Sequence, residues 1–252
     1  EKYPEQVNYR DDLYLERAAL FNQLGQFDKA YRLIMSRKFH PWEGGEGKVT
    51  AQYVVSLLLK ANAAAEKGFF AEAADFLVSS LSFPDNLGEG KLSGTNDNDI
   101  YFFLGCALDA LGKKTEAVAA WERASAGSQE PAGMMFYNDQ PAHYIFYQGL
   151  ALRKLGRENE ALSRFNKLRD YGEKHIFDEP AIDYFAVSLP DLQLFDDDLA
   201  KRNEAHCHFL IALGLLGLGD REKALVEFDS TLLIEESHAG AILQMRLNAL
   251  RD

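Results

Sequence analysis

Leu111-Gly112-Lys113-Lys114-Thr115-Glu116-Ala117 reads as the end of one helix, a turn and the start of the next. Tyr101, Leu104 and Gly105 lead into it at helical spacing, and Trp121 and Ala124 follow it. The same turn recurs at Gly25 to Ala30, Gly68 to Ala73, Gly156 to Ala161 and Gly219 to Ala224, always with five positions from Gly to Ala. A chain that repeats its own helix–turn–helix five times predicts an all-α fold, an α-solenoid of about five helix pairs.

Each position in the repeat has a mechanical reason. The residue that reverses the chain needs positive φ, which glycine supplies and which costs any other residue about 1–2 kcal/mol. The alanine marks the closest approach of the paired helices, where a leucine would overpack by about 1–3 kcal/mol. Seven residues before each turn glycine sits another small residue: Ala18, Ala61, Gly105, Gly149 and Ala212. Nine residues after it sits a large one: Ile34, Leu77, Trp121, Phe165 and Phe228.

These positions resemble the tetratricopeptide repeat (TPR), whose unit is about 34 residues long. The third pair carries the likeness best, through Tyr101, Leu104, Gly105, Leu108, Gly112, Ala117, Trp121 and Ala124. The resemblance implies a right-handed superhelix and an interaction surface on its inner wall. The spacing departs from the family: the turn glycines lie 43, 44, 44 and 63 residues apart. The extra residues are insertions, and loops on a rigid stack are where function concentrates.

Read in order, the pairs span about 10–37, 50–81, 99–126, 141–171 and 202–234, within a single domain over 1–252. An insertion covers 172–201, with short helices expected near 180–187 and 196–201, and 239–251 reads as a terminal capping helix. Asn98 or Asp99 is placed to cap the third pair, and Pro141 to open the fourth. Two of the connecting loops share text: Gly-Glu-Gly-Lys stands at 45–48 and again at 88–91. Shared text outside the helical framework marks the loops themselves as important.

Composition narrows the function. The net charge of −12 argues against nucleic acid or an anionic membrane as partner. No apolar run approaches the ~20 residues needed to cross a bilayer. The start, Glu1-Lys2-Tyr3-Pro4, is not a signal peptide and lacks an initiator methionine, which suggests a segment of something larger. Cys106 and Cys207 fall on first helices of different pairs and read as packing residues, not a disulfide; the compartment stays open.

Catalytic patterns are absent. Gly44-Gly45-Glu46-Gly47-Lys48 departs from a phosphate-binding loop, which needs glycine where Trp42 stands and Ser or Thr where Val49 stands. His206-Cys207-His208 diverge around a helix, so they cannot share one metal ion. No cofactor or metal is expected.

The remaining candidate is the inner wall. Its first-helix positions are Leu15, Leu58, Phe102, Phe146 and Phe209 in one row and Asp12, Val55, Asp99, His143 and His206 in the other. An aromatic ladder flanked by Asp and His suits a peptide or a packed domain; equally, the rings could pack beneath the insertions. The basic pairs that clamp a C-terminal carboxylate in some family members are missing, although Asn62 is present.

The insertions resemble something narrower. The stretches 39–48 (Phe39-His40-Pro41-Trp42 onward), 137–141 and 182–191 are similar to the C-terminal repeat region of large bacterial proteins. Those proteins begin with a β-rich domain of unknown function, thought to be carbohydrate-related. That resemblance implies a multidomain parent and transfers no catalytic residue.

The sequence thus leads to a non-catalytic interaction scaffold. Its partner would be a peptide, a protein or an N-terminal domain of its own parent chain. Expected binding residues are Asp99, Phe102, His143, Phe146, His206 and Phe209 on the wall, with Trp42, Glu46, Lys48, Glu89, Lys91, Tyr137, Asp139 and Tyr184 in the loops. The alternative is an accessory carbohydrate module, with Trp42, Tyr137 and Tyr184 stacking sugars and Glu46 or Asp183 as acid.

Overall fold

A computed structural model describes residues 2–42, 44–133, 140–180 and 198–247. Among them there is no strand. The helices are α1 (Pro4–Tyr9), α2 (Asp11–Gln23), α3 (Phe27–Met35), α4 (Lys48–Glu66), α5 (Phe70–Ser80), α6 (Asn98–Ala110) and α7 (Lys114–Ala124). They continue with α8 (Tyr144–Lys154), α9 (Glu158–His175), α10 (Leu199–Leu218), α11 (Arg221–Ile234) and α12 (Ala239–Arg246). Among the described residues, no helix is long and apolar enough to cross a membrane.

The repeated turn has one construction. Gly25, Gly68, Gly112, Gly156 and Gly219 all adopt positive φ, between 73° and 91°. At four of them the next residue's N–H reaches the carbonyl five places back: Gln26 to Phe21, Phe69 to Ala64, Arg157 to Leu152 and Asp220 to Leu215. This is the Schellman arrangement, which satisfies the orphan carbonyls of the first helix. Beyond the turn, Ala30, Ala73, Ala117, Ala161 and Ala224 are buried against the partner helix.

In the third and fourth pairs the small residue before the turn faces the large residue after it. A Cβ on Gly105 would run into the Trp121 indole, and one on Gly149 into the Phe165 ring. Where the large residue is Ile34 or Leu77, alanine fits at 18 and 61. Glycine thus stands where Trp121 and Phe165 occupy the room, whereas in the fifth pair the buried small residue beside the buried Phe228 position is Ala212.

The chain divides into two compact units, one of Glu1–Thr95, Cys106–Gly112 and Leu243–Asp252, the other of Asn96–Gly105 and Lys113–Ile242. In the first, Tyr14, Leu15, Ile34, Tyr53 and Leu57 build a core joined by Phe39 and Leu87 from the two loops. In the second, α9 and α10 pack with almost no side chain between them. A Cβ on Gly214 would stand 2.7 Å from the Phe165 carbonyl oxygen and 2.8 Å from the Arg169 nitrogen. One on Gly172 would stand 2.6 Å from the Cys207 carbonyl oxygen.

Several local expectations change. Asn98 does not cap its own helix; its amide donates to the carbonyls of Ala124 and Ala126, both at 2.7 Å, and closes the end of α7. The fourth pair becomes helical at Tyr144, because Pro141 and Ala142 accept turn-type bonds from Tyr144 and Ile145 before the α pattern sets in. Of the segment expected to form a separate helix near 196–201, residues 199–201 belong instead to α10, capped by Asp198, whose carboxylate accepts from the Lys201 N–H, and 196–197 lie outside the described residues. The helix expected near 180–187 falls, from 181 onward, outside the described residues. Residues 243–247, read as part of a terminal cap, pack within the first unit: the Arg246 guanidinium donates to the Gln23 carbonyl at 2.6 Å, and Asn62 donates to the Arg246 carbonyl at 3.2 Å.

Candidate functional site: interlocked loops and a histidine wall

In the first unit the two loops that share Gly-Glu-Gly-Lys are tied to each other. The Phe39 N–H donates to the Asn86 carbonyl at 2.8 Å, and Asn86 returns its amide to the carbonyls of Ile34 and Arg37, at 3.0 and 2.9 Å. Glu89, the acid of the second copy, accepts from the Gly47 N–H at 2.8 Å. Gly47 precedes α4, so the carboxylate meets the positive end of that helix. Gly88 must lack a side chain here, since a Cβ would stand 2.7 Å from the Phe39 carbonyl oxygen and its φ is +79°. Lys91 extends over the Phe83 ring, 5.1 Å from its centre. Glu46 and Lys48 of the first copy are exposed.

Asp11, at the start of α2, holds the other side of the first loop. Its carboxylate accepts from the Arg37 guanidinium at 2.6 Å and from the His40 N–H at 2.8 Å. Burial works to raise the Asp11 pKa, but the His40 amide and Arg37 outweigh it and leave the group below its ordinary value. Arg37 also donates to the carbonyls of Asn8 and Tyr9 and lies over the Tyr14 ring at 4.5 Å. A cleft of about 580 Å³ opens beside this cluster, lined among others by Tyr9, Arg10, Lys38, His40 and Trp42. Trp42 backs onto Gly45, where no Cβ could be accommodated.

The second unit carries the inner-wall residues. Phe102, Phe146 and Phe209 are buried, and their rings contact Phe103, Tyr147, Phe165 and Phe228. They lie in the core of the second unit, where these neighbouring rings cover them. Asp99 is also buried, its carboxylate accepting from the Ile100 N–H.

His143 and His206 do come together, and His238, which the sequence does not single out, joins them. The rings of His143 and His238 flank Phe209, with centres 6.3 and 4.8 Å from it. His206 donates from Nε2 to the Ala132 carbonyl at 3.1 Å. His238 accepts at Nδ1 from the Ala241 N–H at 3.1 Å and so caps α12. Burial, then the nearness of His206 and His238, pushes the pKa of His143 down to about 4. Burial does the same for His206 and His238, each to about 4. All three are neutral near pH 7. Burial, then Asp99 and Asp97, also pushes the Tyr144 phenol well above its usual value.

The His206-Cys207-His208 triplet faces three different neighbours. Cys207 is buried beside Asn203 with its thiol pushed up to about 11, first by burial and then by Asp178, while His208 pairs with Glu227 at 2.6 Å. Among the described residues, no group of three or more His, Cys, Asp or Glu is placed to hold a metal ion. Both cysteines are free thiols. Tyr137, Asp139, Asp183 and Tyr184 lie outside the described residues.

No family model matches this chain. Among solved structures, the chain is similar to YrrB, described as a TPR protein with an unusual peptide-binding site. The identity is 16% and the TM-score 0.33, over 98% of this chain and 99% of that one. Two structures of MamA are similar over 86% and 89% of this chain and 92% and 91% of theirs, with 18% and 19% identity and TM-scores of 0.28 and 0.29. By its own hairpins, with a glycine turn, a buried alanine and a small residue facing a large one, the chain is TPR-like.

Proposed function

We propose that the protein is a non-catalytic interaction scaffold that holds a peptide or a partner protein, including a domain of a longer parent chain. The observation that carries this reading is the interlocking of the two loops by Asn86, Phe39 and Glu89. A surface held in one shape before binding loses little conformational entropy when a partner docks. Trp42, Glu46, Lys48, Glu89 and Lys91 are the contact residues of the loop surface in this proposal, and His143 and His206 those of the wall. Tyr137, Asp139 and Tyr184 belong to the same proposal from sequence.

Site-specific photo-crosslinking tests it. A crosslinker replacing Lys48 is expected to capture a discrete partner, and one replacing the exposed Glu116 on α7 is not. Equal labelling from both positions, or none from Lys48, would count against the scaffold.

A further inference from the structure

We propose that the cleft between the end of α1, the start of α2 and the His40-Pro41-Trp42 turn binds a short acidic peptide segment that carries an aromatic side chain. The inference deepens the scaffold reading and rests on it.

Three observations point the same way. First, the walls are fixed: Asp11 holds both Arg37 and His40, and Arg37 ties down the carbonyls that end α1. Second, two rings line the opening: Tyr9 is 87% exposed, and Trp42 is half-buried, packed on the core of the first unit with its back on Gly45. An exposed ring beside a fixed, half-buried one is what a guest aromatic side chain stacks on. Third, the charge is local and opposite to that of the chain. Arg10, Arg37 and Lys38 stand here against Asp11 and Asp12, one positive charge in excess, in a chain whose net charge is −12. Arg10 is satisfied by Asp12, and Arg37 by Asp11 and two carbonyls. Lys38 makes no hydrogen bond or ion pair among the described residues, while the His40 side chain, 76% exposed, holds Nδ1 3.3 Å from the Asp11 carboxylate.

An anionic guest is repelled by most of this surface and attracted here, so the cleft selects by charge as well as by ring contact. A long polyanion such as nucleic acid would extend beyond the cleft into the acidic remainder, whereas a short acidic peptide can place a carboxylate on Lys38 without leaving the cleft. The volume, about 580 Å³, is that of a site for a few residues.

The test is fluorescence anisotropy of the whole chain with a labelled Phe-Asp-Asp peptide, alongside Phe-Asn-Asn and Ala-Asp-Asp controls. Saturable binding of Phe-Asp-Asp is expected, weakened by added salt, with both controls weaker. Lys38→Glu is expected to weaken it roughly tenfold and Tyr9→Ser several-fold. Both side chains are exposed, so melting curves should match the parent and exclude misfolding. Equal affinity for parent and Lys38→Glu, equal affinity for Phe-Asn-Asn, or no saturation would overturn the cleft assignment. If crosslinking from position 48 persists in any of these cases, the scaffold reading stands while the acidic-peptide reading falls.

Discussion

Acidification should unfold this protein through three histidines. His143, His206 and His238 have pKa values near 4 in the fold against 6.5 unperturbed, with burial the leading cause for each. The unfolded chain therefore binds more protons than the native one between about pH 6.5 and pH 4, and stability falls as pH falls through that window. It is fully present above the unfolded value. At about pH 5 each such group removes about 2 kcal/mol, so together they remove about 6 kcal/mol from a total that is typically about 5–15 kcal/mol. Structural reasons accompany the numbers. Protonating His238 removes the Nδ1 acceptor that caps α12, and a proton on His143 faces two further imidazoles. Urea titrations followed by circular dichroism at about pH 7.5, 6 and 5 measure the loss. His206→Gln retains a donor for the Ala132 carbonyl, and His238→Asn retains an acceptor for Ala241, without titrating. The double variant should retain only about a third of the parent's loss. An unchanged loss in the double variant would refute the argument.

Three further outcomes follow from packing and loop geometry. Gly214→Ala should destabilise by about 1–3 kcal/mol in a thermal melt, because the new methyl meets backbone on α9 and not a movable side chain. Gly105→Ala should lose a similar amount alone and recover part of it when combined with Trp121→Leu, so a double-mutant cycle should give a clear coupling energy. Asn86→Ala removes the donor shared by the Ile34 and Arg37 carbonyls, which should cost about 1–3 kcal/mol and open residues 38–48 to limited proteolysis.

The fold was legible because the constraints that make a hairpin are local and repeat in register. A turn glycine, an alanine five places on and a large residue nine places on can be counted along the chain, and each meets its partner within one pair. The pairing of Gly105 with Trp121 and of Gly149 with Phe165 explains why glycine stands at those two positions. The site was less legible because its contacts cross long sequence separations with no fixed period. Asn86 reaches back to Ile34, Asn98 forward to Ala124, and Asn203 back to His175, all closing helix ends, from positions that share no register with the turn glycines. The repeated Gly-Glu-Gly-Lys did signal that Glu89 matters, but not that its carboxylate would take the Gly47 amide. The aromatic ladder shows the converse limit. Register tells which side of a helix Phe102, Phe146 and Phe209 occupy, whereas their burial depends on rings from other helices. His238 carried no signal at all: an isolated histidine ahead of a short helix joins His143 and His206 only once the chain is folded.

The account depends most on the two shared-sequence loops being a locked part of the fold. Hydrogen-exchange mass spectrometry of the free protein addresses that directly. The amides of Phe39, His40 and Gly47, bound to Asn86, Asp11 and Glu89, should exchange on the same slow timescale as those of α2 and α4. Complete exchange of residues 38–48 at the first time point, while the helices stay protected, would contradict it.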